Sequence, residues 1–293
     1  MSRSKLIQTK RIFLTLLVCL LLVQFPLLTA QVEQIRIGTF NIEWLGDGIK
    51  DQIPRSDIDV LAIANIIDNI NCDVVALQEI ENEDALKSIL NRVKKNYRYF
   101  IDSTSSNYHK VAILYEQSLQ KIDEQFIHYS SKTMTYKRPS LYVKLKKNNQ
   151  EFEFISVHLK SSFKQKKETS HDKSEKSDSP KEIRKKQVTE LIAWMKQNQK
   201  NHSILLGDFN EEYENGTILK QIEKEFKSMV ISKNMISCAN PNWKMIDHII
   251  LPEHFRKSYK PERLQVFNHT VLYSTKNAPK ISDHCLLYYT ITF

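Results

Sequence analysis

Short apolar runs recur along the chain, and most of them end at a polar residue. The runs are five to nine residues long and rich in Val, Ile and Leu. Runs of this length and composition, bounded by polar or glycine residues, predict strands rather than helices. The predicted strands cover residues 35–42, 73–77, 111–115, 141–145, 152–157, 204–210, 245–251 and 285–293.

Four other segments carry apolar residues at spacings of three or four, which is the period of an amphipathic helix. These predicted helices cover residues 56–70, 86–93, 188–195 and 219–226. Strands and helices alternate along most of the chain, with several consecutive strands in the middle and at the end. This order predicts an α/β (α+β) layered sandwich, in which the sheets lie inside and the helices outside.

The first 30 residues have a different pattern. Four basic residues precede an apolar run at residues 12–23, and Thr29 and Ala30 provide small side chains for cleavage. This is the pattern of a secretory signal peptide; the alternative, an uncleaved membrane anchor, is disfavoured because the run is short for a full span. We therefore expect a secreted protein, extracellular or periplasmic, whose mature domain covers residues 31–293. No stable membrane insertion is expected after cleavage.

Composition adds three constraints. The formal net charge of the 293-residue chain is +9, but four of its Lys and Arg residues and none of its Asp and Glu lie in the first 30 residues. The mature chain is therefore mildly basic, at +5, which is compatible with a polyanionic partner. Residues 161–180 are rich in Lys, Ser, Glu and Asp and nearly devoid of apolar side chains, which predicts a flexible basic surface insertion. Outside the leader only Cys72, Cys238 and Cys285 remain, so at most one intramolecular disulfide can form. The fold therefore depends on its apolar core.

The candidate chemistry lies where the strands end. Residues 204–210 read I-L-L-G-D-F-N, so that Asp208 and Asn210 are two positions apart and can project to one side of a strand. A strand followed by an ordinary turn would look the same. Other strands, however, also end at polar residues. The full set is Asn41, Glu79, Arg138, His158, Asp208, Asn210, Asp247, Asp283 and His284.

The composition of this set favours one kind of reaction. The spacing of cysteines and histidines matches no zinc site, whereas the carboxylates and amides are suitable ligands for Mg²⁺ or Ca²⁺. A hard metal ion and an arginine can neutralise a phosphorane. One imidazole can then activate water while another protonates the leaving oxygen. The set therefore predicts hydrolysis of phosphate esters.

Six motifs carry a resemblance to a known family. They are T-F-N-I-E-W (39–44), L-Q-E-I (77–80), S-V-H-L-K-S (156–161), G-D-F-N (207–210), M-I-D-H-I (245–249) and I-S-D-H-C (281–285). In this order and spacing the chain resembles the endonuclease/exonuclease/phosphatase superfamily, most closely its deoxyribonuclease I-like secreted branch. The resemblance implies a four-layered αββα sandwich, with two packed mixed β-sheets flanked by helices and the site at one edge of the sheets.

The resemblance also implies roles for individual residues. The implied catalytic residues are His158, His284, Asp208, Asn210 and Asp247. The implied metal ligands are Glu79, Asn41 and Asp283, with Mg²⁺ as the expected ion and Mn²⁺ or Ca²⁺ as alternatives. The implied phosphate-binding residues are Arg138, Tyr108 and Lys160.

Two features depart from the branch. Lys110 stands near the position of the glutamate that orients the first histidine, and no cysteine pair follows G-D-F-N. The partner of His158 is therefore open. The remaining histidines are interpreted as structural or surface residues; they are His109, His128, His171, His202, His248, His254 and His269. Trp44 and Trp243 are interpreted as core or rim packing, although Trp243 could also stack on a base or a sugar.

The function expected from this reading is that of a secreted, metal-dependent nuclease, acting as a monomer on DNA, with RNA or another nucleic acid as an alternative substrate. A sphingomyelinase-like or phosphoinositide phosphoesterase would share the same core. The sequence shows no hairpin rich in Trp or Phe, which such membrane-acting relatives usually carry. A binding module that has kept only the scaffold is disfavoured, because the full set of catalytic residue types is present.

Overall fold

The computed structural model describes residues 33–103, 109–130, 138–162, 178–273 and 278–293. Within these ranges, Ile35–Ile291 forms the compact unit that carries both sheets. The described residues do not include residues 1–30, Tyr108 or residues 163–177 of the predicted insertion. The signal peptide, the role of Tyr108 and the flexibility of the insertion therefore remain predictions. None of the described helices is long and apolar enough to cross a membrane.

The first sheet contains six strands in the order β11-β12-β1-β2-β4-β3. Its strands are β1 Gln34–Leu45, β2 Val74–Ile80, β3 Tyr97–Ile101, β4 Lys110–Glu116, β11 Leu264–Phe267 and β12 Leu286–Thr292. Strands β1 and β2 are parallel, whereas β4 is antiparallel to both β2 and β3. The sheet is therefore mixed, as the resemblance implies.

The second sheet also has six strands, in the order β5-β6-β7-β8-β10-β9. Its strands are β5 Gln120–Ile127, β6 Ser140–Lys147, β7 Gln150–His158, β8 Ile204–Asp208, β9 Met229–Val230 and β10 Asp247–Leu251. Strands β7 and β8 are parallel, and β10 is antiparallel to β8. Each sheet thus contains one central parallel pair whose carboxyl ends meet at the same edge.

The helices cover the outer faces of the sheets. They are α1 Asp57–Ile70, α2 Glu83–Leu90, α3 Pro180–Gln197, α4 Ile218–Phe226 and the short α5 His269–Leu272. One apolar core joins α1 and α2 to the first sheet, and a second core joins α3 and α4 to the second sheet. Strands β2 and β4 also contact β7 of the other sheet, so the sheets pack face to face. The four-layered αββα sandwich is confirmed.

Local sequence explains where the long helices begin. Ser56 accepts a hydrogen bond from the backbone N–H of Asp59, whose carboxylate accepts one from the Ser56 N–H, a capping box. Ser179 and Glu182 form the same box at the start of α3, with Pro180 in the first turn. The insertion predicted at residues 161–180 is therefore too long at its carboxyl end, because these residues already start a helix.

Four strands are missing from the sequence-based prediction, namely β3, β5, β9 and β11. Strand β9 has only two residues, and the side chains of the other three are largely exposed or half-buried, so no clear alternation marks them. The cysteine prediction is consistent with the structure. Cys238 and Cys285 form one disulfide with a Cα–Cα distance of 5.9 Å, and Cys72 is a buried free thiol.

Candidate active site

Four strand ends bring their polar side chains together at one edge of the sandwich. The buried Asn41 amide, on β1, donates hydrogen bonds to Glu79 Oε1 and Asp208 Oδ2, each at 3.1 Å. His158 Nε2, at the end of β7, lies 3.6 Å from the same two oxygen atoms. Since Asn41 and Glu79 come from one sheet and His158 and Asp208 from the other, these side chains connect the two sheets at the site.

Gly207 allows the close approach of β8 to β7 at this edge. Its φ is +145°, and a Cβ atom there would collide with the carbonyl oxygen of Val157. Only glycine fits where one backbone passes so near another. Asp208 is thereby held level with His158, its partner in the parallel register.

Several residues around the site have left-handed backbones although they are not glycine. The φ angles are 51° at Glu43, 56° at Trp44, 64° at Glu79 and 52° at Asn210. Such conformations are costly, persist only where surrounding contacts determine them, and concentrate at functional sites. Here the contacts are hydrogen bonds: the Trp44 N–H donates to Glu79 Oε2 at 3.2 Å, and the Glu43 N–H donates to Asn41 Oδ1 at 2.9 Å.

A carboxylate–imidazole pair forms the next part of the site. His284 Nδ1 lies 2.7 Å from Asp247 Oδ2, and Asp247 pairs with Asp208 in the register of β10 and β8. The loop before β12 is held to β1, because the Ser282 hydroxyl donates to the Asn41 carbonyl at 2.7 Å. The separation of 37 residues between Asp247 and His284 is thus closed by the sheet arrangement.

Arg138 provides the partner of His158 that the sequence left open. Its Nη1 lies 2.6 Å from His158 Nδ1 and 3.0 Å from His158 Nε2. A guanidinium can only donate, so the imidazole nitrogen that takes this hydrogen bond must accept, and the ring is neutral. Burial and the nearby Arg138 charge lower the pKa of His158 well below its ordinary value, in agreement with this reading.

The titratable groups of the site differ in their preferred charge. Burial, aided by Asp247, raises the pKa of Asp208 to about 7. Burial would also raise the pKa of Glu79, but the adjacent His109 imidazole and the hydrogen bond from Asn41 outweigh burial and lower the pKa. Burial alone would lower the pKa of His284, yet the Asp247 carboxylate raises it well above the ordinary value. One imidazole is therefore held neutral and the other cationic, which suits acid–base chemistry.

These groups surround a cavity of about 230 Å³. Eight of the eleven sequence-predicted residues line it: Glu79, Arg138, His158, Lys160, Asp208, Asn210, Asp283 and His284. Asn41 and Asp247 lie buried behind the lining residues and hydrogen-bond to them. Tyr108 is not among the described residues. The geometric part of the prediction, convergence of the strand-terminal residues, is therefore confirmed for these ten.

Sequence reasoning missed five lining residues: Glu43, Trp44, His109, Ser161 and Ile246. The assignment of His109 to structure or surface is wrong, since its Nδ1 lies 3.6 Å from Glu79 Oε2 and its ring packs edge-on against Trp44. Trp44, interpreted as packing, also faces the cavity. A signal existed: His109 directly precedes β4, the antiparallel neighbour of β2. By contrast, His248 and His269 are buried outside the cavity lining, as predicted for structural histidines.

The donor set fits a hard metal ion. Asp208 and Asp247 each place a carboxylate oxygen within 4.8 Å of the other. Asp247 Oδ1 is buried and has no hydrogen-bond partner among the described residues, and a buried carboxylate oxygen of this kind is costly unless a cation compensates it. Glu79 and Asp283 add carboxylates to the cavity wall. Oxygen-rich sites of this kind favour Mg²⁺, Ca²⁺ or Mn²⁺.

Comparisons with known proteins show the family and the fold of the chain. The family profile described as Endonuclease/Exonuclease/phosphatase family matches residues 38–284. Among solved structures, an endonuclease/exonuclease/phosphatase family protein from Bacteroides thetaiotaomicron is 16% identical with a TM-score of 0.64, covering 90% of this chain and 99% of that one. A conserved protein of unknown function from Enterococcus faecalis V583 is 15% identical with a TM-score of 0.61, and the match covers 88% of this chain and 100% of that one.

A third similar structure was solved with nucleic acid. It is D. rerio TDP2 complexed with a single-strand DNA product, which is 17% identical with a TM-score of 0.61 and covers 88% of this chain and 98% of that one. At these identities the likeness concerns the fold. No curated protein matched the sequence.

Proposed function

Because the chain belongs to the endonuclease/exonuclease/phosphatase family, we propose that it is a secreted, Mg²⁺-dependent nuclease that hydrolyses phosphodiester bonds in DNA. The observation that carries the proposal is the convergence of Asn41, Glu79, His158 and Asp208 beside the Asp247–His284 pair. The net charge, which stays positive without residues 1–30, and the DNA-bound fold relative support a nucleic acid as substrate, and the signal-like pattern of residues 1–30 supports secretion.

Each residue has a role that its position allows. Arg138 and Lys160 line the cavity as fixed cations and would bind the scissile phosphate. Asp208, whose pKa is about 7, would accept the proton of the attacking water at neutral pH. Asn210 holds the Asp208 carboxylate through its backbone N–H at 2.8 Å. The cationic His284 would stabilise the developing charge and donate a proton to the leaving oxygen.

A metal ion would be held by Glu79, with Asn41 beside it and Asp283 completing the set. When bound, it would supply positive charge against the phosphate oxygens in the transition state. Neutral His158, fixed by Arg138, would keep its Nε2 toward the Glu79 and Asp208 carboxylates and so preserve their orientation.

One observation favours the second candidate, a phosphodiesterase acting on lipid headgroups. Ile236 and Trp243 are about half exposed, and they lie on a short hairpin closed by the bridge between Ile236 and Lys244. An exposed apolar hairpin could contact a membrane, and the same tryptophan could stack on an unpaired base. The substrate panel below separates the two.

The mature chain should be incubated with supercoiled plasmid, linear DNA, RNA and sphingomyelin vesicles, each with Mg²⁺, Mn²⁺, Ca²⁺ or a chelator. We expect Mg²⁺-dependent nicking of plasmid that the chelator abolishes. Glu79→Gln and His158→Ala should each lower the rate by about 10²-fold or more, because each removes a group at the reacting centre. Release of phosphocholine with intact DNA would establish the second candidate, and equal nicking by all three proteins would refute the site.

A further inference from the structure

The two residues that follow His158, Leu159 and Lys160, have both of their backbone polar groups hydrogen-bonded. We call residues 158–162 the catalytic turn, because it carries His158 and Lys160. The Leu159 N–H donates to the Asp208 carbonyl at 2.9 Å, and the Asn210 amide donates to the Leu159 carbonyl at 3.1 Å. These two bonds come from the end of β8 and belong to the site already described.

The next residue is held from a different element, helix α3. The Lys160 N–H donates to Gln187 Oε1 at 3.0 Å, and Arg184 Nη1 donates to the Lys160 carbonyl at 2.8 Å. Arg184 Nη1 also donates to the Ser162 hydroxyl at 3.0 Å. Arg184 and Gln187 are three positions apart, so they occupy one face of the helix and reach the same turn together.

Arg184 is placed where a charge is expensive. Its side chain is 6% exposed, and its Nε has no hydrogen-bond partner among the described residues. Burial lowers the pKa of Arg184, and the charges of Glu211 and Asp208 only oppose this effect. A buried cation that donates to a carbonyl and a hydroxyl stabilises a fold poorly compared with an apolar residue of the same size. The contribution of Arg184 therefore lies in the segment to which it donates hydrogen bonds, residues 160–162.

We propose that Arg184 and Gln187 are positioning residues that fasten the catalytic turn and thereby set the places of Lys160 and His158 against the substrate phosphate. The inference rests on the proposed function for its catalytic consequence. Without the two α3 side chains, Lys160 would lose both of its backbone anchors while the bonds at Leu159 remain. The turn would then become more mobile after His158, at Lys160, which lines the cavity.

The test compares variants within one helix. Gln187→Leu removes the acceptor of the Lys160 N–H at similar size, and Gln187→Glu restores an acceptor oxygen. Val188→Ala is the matched control, because it removes core packing from the adjacent position of α3 without removing a bond to the turn. Displacements of about 1 Å at a reacting group can cost 10²-fold in rate. We therefore expect Gln187→Leu to lower kcat on plasmid by about 10- to 100-fold.

Three outcomes support the proposal together. Gln187→Glu should recover most of the rate, Val188→Ala should keep the wild-type kcat despite a lower Tm, and combining Gln187→Leu with Lys160→Met should cost less than the product of the single effects. Arg184→Met should behave as Gln187→Leu does. If Gln187→Leu keeps the wild-type kcat, or if Val188→Ala with an equal decrease in Tm loses as much kcat as Gln187→Leu, the positioning role is refuted.

A second readout separates this inference from the proposed function. Amide hydrogen exchange followed by NMR reports the Lys160 N–H directly and requires no substrate. In Gln187→Leu, protection at Lys160 should fall while protection at Leu159, whose N–H bonds to Asp208, stays high. If the wild type hydrolyses no member of the panel, the proposed function fails, yet this experiment still decides whether α3 fastens the turn. Unchanged protection at Lys160 would overturn the inference.

Discussion

Replacing Asp247 with asparagine isolates the contribution of one charged hydrogen bond to the proposed reaction. Asp247 Oδ2 lies 2.7 Å from His284 Nδ1, and the Asp247 side chain is 5% exposed. Asparagine keeps the size of the side chain but removes the negative charge. The imidazole of His284 would stay in place while its cationic form loses its main stabilising partner.

The size of the effect follows from the geometry. A buried hydrogen bond between charged groups contributes about 1.5–3 kcal/mol. If the cation of His284 is needed in the transition state, this loss corresponds to a decrease in kcat of roughly 10- to 150-fold, since each 1.36 kcal/mol is a factor of ten. The pH profile should change as well. Asp247 raises the pKa of His284, so its removal lowers that pKa, and the alkaline limb of the profile should move to lower pH.

The assay is plasmid nicking with Mg²⁺ across a pH series, for the wild type and Asp247→Asn. The matched control is Asp73→Asn, which removes a partly buried carboxylate just before the start of β2, whereas Glu79 lies near its end. Asp73 accepts a hydrogen bond from the Arg36 N–H at 2.7 Å and pairs with Lys95 at 3.4 Å. This control should lower Tm but leave kcat and its pH limb unchanged. An Asp247→Asn protein with the wild-type kcat and alkaline limb would refute the reasoning.

Three further predictions concern stability. Gly207→Ala should lower the free energy of unfolding by about 3 kcal/mol in urea denaturation, because the added Cβ meets Val157 and the φ of +145° is strained. Reducing the Cys238–Cys285 disulfide, which spans 47 residues, should cost up to about 4 kcal/mol, seen as a lower Tm. Burial lowers the pKa of His248 from 6.5 to about 4. Between these two pH values the unfolded chain binds a proton at His248 that the folded protein does not bind. The free energy of unfolding should therefore fall by about 3 kcal/mol as the pH drops from 6.5 to 4.

Each of these predictions has a control or a test variant. Gly48→Ala also adds a Cβ at positive φ but meets open space, so it should cost about 1 kcal/mol. Cys72→Ala should respond to reductant as the wild type does, because Cys72 is outside the disulfide. His248→Gln, which removes the buried titrating group, should flatten the acid slope. Equal losses of stability in Gly207→Ala and Gly48→Ala would contradict the argument about Gly207. An unchanged Tm after reduction would contradict the argument about the disulfide, and an unchanged acid slope in His248→Gln would contradict the argument about His248.

Local sequence patterns predicted the layers of the fold and the convergence of most of the residues at the site. Apolar runs ending at Glu79, His158 and Asp208 predict strands whose last residues meet at one edge, because strand direction and alternation are local properties. The helical stripes are local in the same sense. Parity limited the three cysteines outside the leader to one disulfide at most, but parity says nothing about which two pair.

Features that depend on contacts between distant segments appear only in the folded structure. The structure pairs Cys238 with Cys285, places Arg138 beside His158, and brings His109 to the site through the pairing of β4 with β2. It also revealed the half-exposed strands β3, β5 and β11, whose side chains show no clear period. The physical reason is common to all: register and packing between remote strands are set by the whole core, and no local pattern records them.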